Sequence, residues 1–209
     1  MFLKPDTLVI PTQAHDYPEW HRGRQHYALW YLELHDPALF SYLNDLRYQC
    51  SDLLFQPNTR QFHITLFICG FYTEHPPIFD DDFSQRQFKN QIQHLDTHKL
   101  TQFKLKTGRI NSFDSALFVE VEDSEQMLSQ IRSIFSANTQ EIAPLSYCPH
   151  ITLGLHKHKM PSQRIFERIE AMLQQQFEFE VQQLTFGIYQ AQQLQGPLTE
   201  LYHYPLRSL

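Results

Sequence analysis

The sequence predicts a protein of mixed strands and helices in two similar lobes, each containing a strand–helix–strand unit. Three observations predict it. Short apolar runs of strand length alternate with segments of helical spacing along the chain. The tetrapeptide His-Ile-Thr-Leu occurs at 63–66 and again at 150–153. Each copy closes a stretch of similar length: His63 falls 36 residues after Tyr27, and His150 falls 34 residues after Ala116.

Taken in order, residues 1–25 read as an irregular polar segment punctuated by Pro5, Pro11 and Pro18. Residues 27–34 are aromatic and apolar and read as a strand. Asp36 suits a helix N-cap with Pro37 at the first helical position, and Leu39, Leu43, Leu46, Cys50, Leu53 and Leu54 follow at helical spacing. Residues 62–69 form a second strand, and 73–82 a loop. Phe88, Ile92 and Leu95 mark a helix. Residues 102–110 and 116–121 read as strands. Asp123 and Gln126 have the spacing of a capping box ahead of a helix carrying Met127, Leu128, Ile131, Ile134 and Phe135, and Pro144 closes that region. Residues 148–155 form the next strand. Ser162 is the expected cap of a last helix with Ile165, Phe166, Ile169, Met172 and Leu173 inward. Residues 179–189 and 198–204 read as a closing pair of strands. No low-complexity linker divides the chain, so residues 1–209 are expected to form one two-lobed domain.

The repeated motif carries the chemistry. Side chains alternate along a strand, so His63 and Thr65 face one side while Ile64 and Leu66 face the other. His150 and Thr152 do the same. Two such strands offer two imidazoles and two hydroxyls on one surface. Imidazole titrates near neutral pH, so one ring can accept a proton while the other donates one. Hydrolysis of a phosphodiester needs both, and threonine hydroxyls can donate to the non-bridging oxygens. The arrangement requires no metal or cofactor. The plainer reading, two structural histidines in apolar strands, suits either motif alone better than it suits the pair.

The motifs, their separation and their strand–helix context resemble the 2H phosphoesterase superfamily, which includes the bacterial 2′-5′ RNA ligase-like proteins and the 2′,3′-cyclic phosphodiesterases. The resemblance runs roughly from Tyr27 to Leu206 and rests on FHITLFICG, CPHITLG and the closing FEFEVQQLTFGIYQAQ…ELYHYPL. It implies an α+β two-lobed sandwich with pseudo-two-fold symmetry, antiparallel sheets lining a central cleft, and helices outside. It also implies a phosphodiesterase of 2′,3′-cyclic phosphates or related 2′-linked esters of nucleotides or RNA ends. His63 and His150 are then catalytic, with Thr65 and Thr152 on the phosphate. His150 is expected to be the general base and His63 the general acid. Members often carry an arginine shortly after the second motif. Here Gly154 and Leu155 precede His156 and Lys157, so the phosphate's cation is unassigned.

Other positions carry weaker expectations. Arg22 and Arg24 could reach an anion or belong to a solvated loop. Phe118 could stack on a base or sit in the core, and Lys157 could attract substrate or only solubilise. His94 and His98 have helical metal-ligand spacing, but the glutamate of HExxH is missing. A net charge of −6 argues against non-specific binding of long nucleic acid, not against a small anionic substrate. The absence of a Walker A loop or a Lys-x-Asp-Gly motif leaves ATP-driven ligation unsupported. Cys50, Cys69 and Cys148 form no CxxC pair, and there is no signal-peptide run or span of ~18 apolar residues. A cytoplasmic monomer without membrane contact is the expectation. The rival readings are a nucleotide- or RNA-binding module without turnover and a histidine-rich metal protein.

Overall fold

The computed structural model describes residues 2–137, 139–142 and 146–208. Strand β1, His26–Glu33, leads into helix α2, Pro37–Gln49, behind the short helix α1, Pro18–His21. Asp36 caps α2 as its sequence demands, its carboxylate accepting the Leu39 N–H at 2.7 Å. Strand β2, His63–Thr73, carries the first motif and is followed by β3, Asp82–Ser84, and α3, Gln85–His98. Strands β4, Phe103–Ser112, and β5, Ala116–Glu122, precede α4, Met127–Ser136, and β6, His150–Leu155, carries the second motif. Helix α5, Ser162–Ala171, and strands β7, Glu178–Val181, β8, Gln183–Gln190, and β9, Thr199–Pro205, complete the order.

Among the described residues the strands form one sheet in the order β7-β4-β5-β6-β2-β1-β8-β9, with β3 added to β2. All pairings are antiparallel except β2 with β3. The order reads outward symmetrically from its middle. One lobe is β2-β1-β8-β9 and the other is β6-β5-β4-β7, and the motif strands meet at the seam through Ile64 and Ile151. The helices tie the lobes together, because α2 of the first lobe packs on β6 and α4 of the second packs on β2. The fold is thus the α+β, two-lobed, antiparallel architecture that the resemblance implies.

Burial follows the alternation along the motif strands. Ile64, Leu66, Ile151 and Leu153 are fully buried, while His63, Thr65, His150 and Thr152 are half-buried on the opposite face. Trp30, Phe67, Phe135 and Phe186 are also fully buried, and the Trp30 indole N–H donates to Gln91 Oε1 at 2.8 Å. No helix among the described residues is long and apolar enough to cross a membrane.

Several local expectations change. Asp123 does cap α4, accepting the Met127 and Leu128 N–H groups, but Gln126 takes a left-handed conformation and makes no reciprocal bond. Ser162 is the first residue of α5 rather than its cap; its hydroxyl instead accepts the Thr7 N–H. Leu173 lies beyond the end of α5 and is exposed. The stretch 179–189 divides at Gln182, β7 pairing with β4 at one edge of the sheet and β8 pairing with β1 and β9 in the other lobe. The irregular 1–25 segment contains α1. Pro144 lies outside the described residues.

Candidate active site

The antiparallel rung Ile64–Ile151 decides where the motif side chains stand. By that register His63 lies across from Thr152, and Thr65 across from His150. Directly opposed side chains on antiparallel strands point the same way, with Cβ atoms about 5 Å apart. The two imidazoles therefore sit diagonally across the seam, with the two threonines on the other diagonal.

The next strands extend the symmetry. Tyr31 pairs with Thr65 and Glu33 with His63 on one side, and Phe118 pairs with Thr152 and Glu120 with His150 on the other. Each aromatic ring meets its histidine edge-on. Tyr31 lies 5.7 Å from His63 at 82°, and Phe118 lies 5.2 Å from His150 at 64°. Phe113 adds a second ring at 5.0 Å from His150. Tyr31 has room because of Gly187, where a Cβ would fall 3.0 Å from the Tyr31 ring.

Both imidazoles are oriented in the same way. Nδ1 of His63 bonds the Gln61 carbonyl at 2.8 Å, and Nδ1 of His150 bonds the Cys148 carbonyl at 2.7 Å. A carbonyl only accepts, so each Nδ1 carries hydrogen and each neutral ring keeps its lone pair on Nε2. Burial pushes His63 down to about 4, opposed by its bond to Gln61 and reinforced by the Arg60, His150 and Arg47 charges. Burial also lowers His150, opposed by its bond to Cys148.

A cavity of about 350 Å³ opens on this surface, a size suited to a small ligand. His63, Thr65 and Thr152 line it, whereas His150 stands half-buried beyond its wall, against Phe113 and Phe118. Further walls come from Tyr17 and Trp20, from Asn58, Arg60 and Gln61 ahead of β2, and from residues 191–195 of the β8–β9 loop. Gln195 holds that loop in place. Its side-chain amide donates to the Phe55 carbonyl at 3.0 Å and its Oε1 accepts the Leu155 N–H at 3.1 Å.

The structure places the weaker candidates elsewhere. Arg24 is committed to Asp81 and Asp82, at 2.5 and 2.7 Å, and lies over the Phe71 ring. Arg22 is the left-handed C-cap of α1, with its guanidinium over Phe79. From the N-terminal segment it is His15, Tyr17 and Trp20 that reach the cavity wall. Phe118 is fully buried and stacked on Phe113 at 4.0 Å, so its faces are closed to a base. Lys157 is exposed, its backbone N–H bonded to Leu53, and is not on the cavity wall.

Two arginines missed in the sequence stand in the cavity beside His63. Arg47 of α2 and Arg60 both line the cavity. Arg47 reads in sequence as a polar residue on a helix, and Arg60 as part of a loop; only the fold turns both toward His63. One group among the described residues, Glu33, Glu200 and His203, brings three metal-ligand atoms within 4.8 Å of one another. Burial and the Glu200 charge raise the Glu33 carboxyl above its ordinary range.

The family model of the 2′-5′ RNA ligase superfamily matches residues 36–193, well over half of the chain. No curated protein matches. Among solved structures, E. coli LigT complexed with 3′-AMP shares 12% identity at a TM-score of 0.60, over 88% of this chain and 99% of that one. A protein of Thermus thermophilus shares 15% at 0.55, over 87% and 98%. A structure described only as a phosphoesterase shares 15% at 0.52, over 88% and 99%. At these identities the likeness is one of fold. Together with the family match and the paired motif strands, it means that the chain belongs to the 2′-5′ RNA ligase superfamily of 2H phosphoesterases.

Proposed function

We propose that this chain is a phosphodiesterase that opens a 2′,3′-cyclic phosphate or a related 2′-linked ester of a nucleotide or RNA end, using His63 and His150 and no metal. The observation that carries the reading is the diagonal placement of two imidazoles and two threonine hydroxyls about one seam. In-line attack on phosphorus needs a base on one side and an acid on the other, and a two-fold site supplies both. Thr65 and Thr152 donate to the non-bridging oxygens between them. That E. coli LigT was crystallised with 3′-AMP supports a nucleotide ligand. The free thiols of Cys50, Cys69 and Cys148 support work in the reducing cytoplasm.

In this reading His150 takes a proton from water, the oxygen attacks phosphorus, and one ester bond breaks. His63 gives its proton to the departing oxygen. The product is a monoester, and the proton taken by one ring replaces the one given by the other. The arginines beside His63 make it the stronger acid once protonated. An arriving phosphate anion offsets their repulsion, so substrate binding brings the proton to His63. Its low proton affinity in the free protein is also what a binding module without turnover would show.

The test is a panel of cyclic mononucleotides and cyclic-phosphate-ended RNA, assayed in chelator, with the product position assigned by NMR. Turnover of at least one substrate class supports the reading. Tight binding of nucleotides without turnover across the panel establishes the binding module instead.

A further inference from the structure

We infer that Arg47 and Arg60 form a second anion subsite, beside the scissile phosphate, for a neighbouring phosphate of the substrate; this rests on the phosphodiesterase reading. Among the described residues, Arg24, Arg47, Arg60, Arg132 and Arg168 are the half-buried arginines. Arg24, Arg132 and Arg168 each meet a carboxylate. Arg47 and Arg60 meet none, and no described residue lining their cavity is acidic, in a chain of net charge −6. Partial burial without a counter-charge is unfavourable, and it lowers Arg47 to about 10.

The pseudo-symmetry sharpens the point. Arg47 of α2 donates from Nε to the Leu153 carbonyl of the second motif at 2.9 Å, and its guanidinium lies 3.8 Å over the Phe62 ring. Its counterpart is Arg132 of α4, which donates to the Leu66 carbonyl of the first motif and lies 3.9 Å over Tyr147. Both arginines tie a helix of one lobe to the motif strand of the other. Arg132 is neutralised by Glu141, whereas Arg47 is not. Tying the lobes together therefore explains both positions but not the missing carboxylate.

Arg60 repeats the arrangement, with Nε on the Gly196 carbonyl at 2.8 Å and its guanidinium 4.0 Å over Tyr189. With Nε engaged and the plane fixed by a ring, the rest of each fork is preset for phosphate oxygens. Arg60 lies just ahead of His63 and β2, and Arg47 is bonded to Leu153, the residue after Thr152 on β6. The pair therefore lies at the His63–Thr152 end of the seam, beside rather than between the two imidazoles. The ligand class is a nucleotide with a second phosphate, such as the last internucleotide phosphate of an RNA end.

The experiment compares a nucleoside 2′,3′-cyclic phosphate with a dinucleotide ending in the same cyclic nucleoside. Wild-type kcat/KM is expected to favour the dinucleotide about 10-fold or more, the worth of one charge-assisted contact. In Arg47→Gln and Arg60→Gln the dinucleotide should lose more than the mononucleotide, bringing the ratio towards one. A wild-type ratio near one, or equal losses on both substrates, overturns the subsite while leaving the phosphodiesterase reading intact. If neither substrate turns over, that reading fails, and calorimetry still tests the subsite. Nucleoside 3′,5′-bisphosphate should bind the wild type more tightly than the 3′-monophosphate, and equal affinities refute it. Should Arg47→Gln fail to fold, Arg60→Gln and the salt dependence of the wild-type ratio decide, a ratio indifferent to salt counting against the subsite.

Discussion

Ile64 on β2 pairs with Ile151 on β6, and this rung sets the register on which the whole candidate site depends. Shifting it by one residue would carry both histidines and both threonines away from their partners. With it, two rows cross the seam: Phe118, Thr152, His63 and Glu33 in one, and Glu120, His150, Thr65 and Tyr31 in the other.

In the proposed reaction the Thr65 and Thr152 hydroxyls, both on the cavity wall, donate to the non-bridging oxygens. Thr65→Val and Thr152→Val remove one donor each at nearly constant shape. Each variant is expected to lower turnover by about 10- to 1000-fold, the range for losing one preorganised donor. Steady-state kinetics checks this, and undiminished rates in both variants would take the hydroxyls out of the mechanism.

The division of labour between the imidazoles has its own test. A nitrophenyl phosphodiester has a good leaving group and needs little help from an acid. His63→Ala should therefore lose much less on it than on a nucleoside cyclic phosphate, while His150→Ala stays poor on both. The reverse ranking would exchange the roles.

Acid should weaken the fold through the same histidine. His63 is held at about 4, below an ordinary value of 6.5. Between those values the unfolded chain binds a proton that the folded chain does not. Stability is then complete above about 6.5 and is lost as the pH falls toward about 4. His150 and His156 are also lowered and act in the same direction. Urea midpoints at neutral and acid pH should converge partway in His63→Gln; an unchanged gap would show that the histidine does not resist protonation.

Phe118 is predicted to matter for packing rather than for base recognition. It is fully buried against Phe113 and the edge of His150. Phe118→Ala should cost about 3–5 kcal/mol, as large deletions in cores do, measured by urea denaturation. Wild-type stability combined with an altered base preference would restore a stacking role.

Much of this was legible because strands impose a period of two. The facing of His63 with Thr65, and of His150 with Thr152, follows from spacing alone. A second repeat flanks the motifs: Tyr31-Leu32-Glu33 and Phe118-Val119-Glu120 occupy matching places beside them. The cations were not legible. Arg47 and Arg60 come from a helix and a loop, and their orientation depends on contacts with Leu153 and Gly196, remote in sequence. The division at Gln182 was hidden for a similar reason, since one apolar run serves strands in both lobes.

The central claim is tested most directly by hydrolysis of a nucleoside 2′,3′-cyclic phosphate in chelator, followed by phosphorus NMR for the wild type, His63→Ala and His150→Ala. The wild type should form a single monoester. Each folded variant should be slower by about 10²- to 10⁴-fold, the contribution of one positioned acid or base. Hydrolysis by the wild type that persists undiminished in both variants would contradict the account.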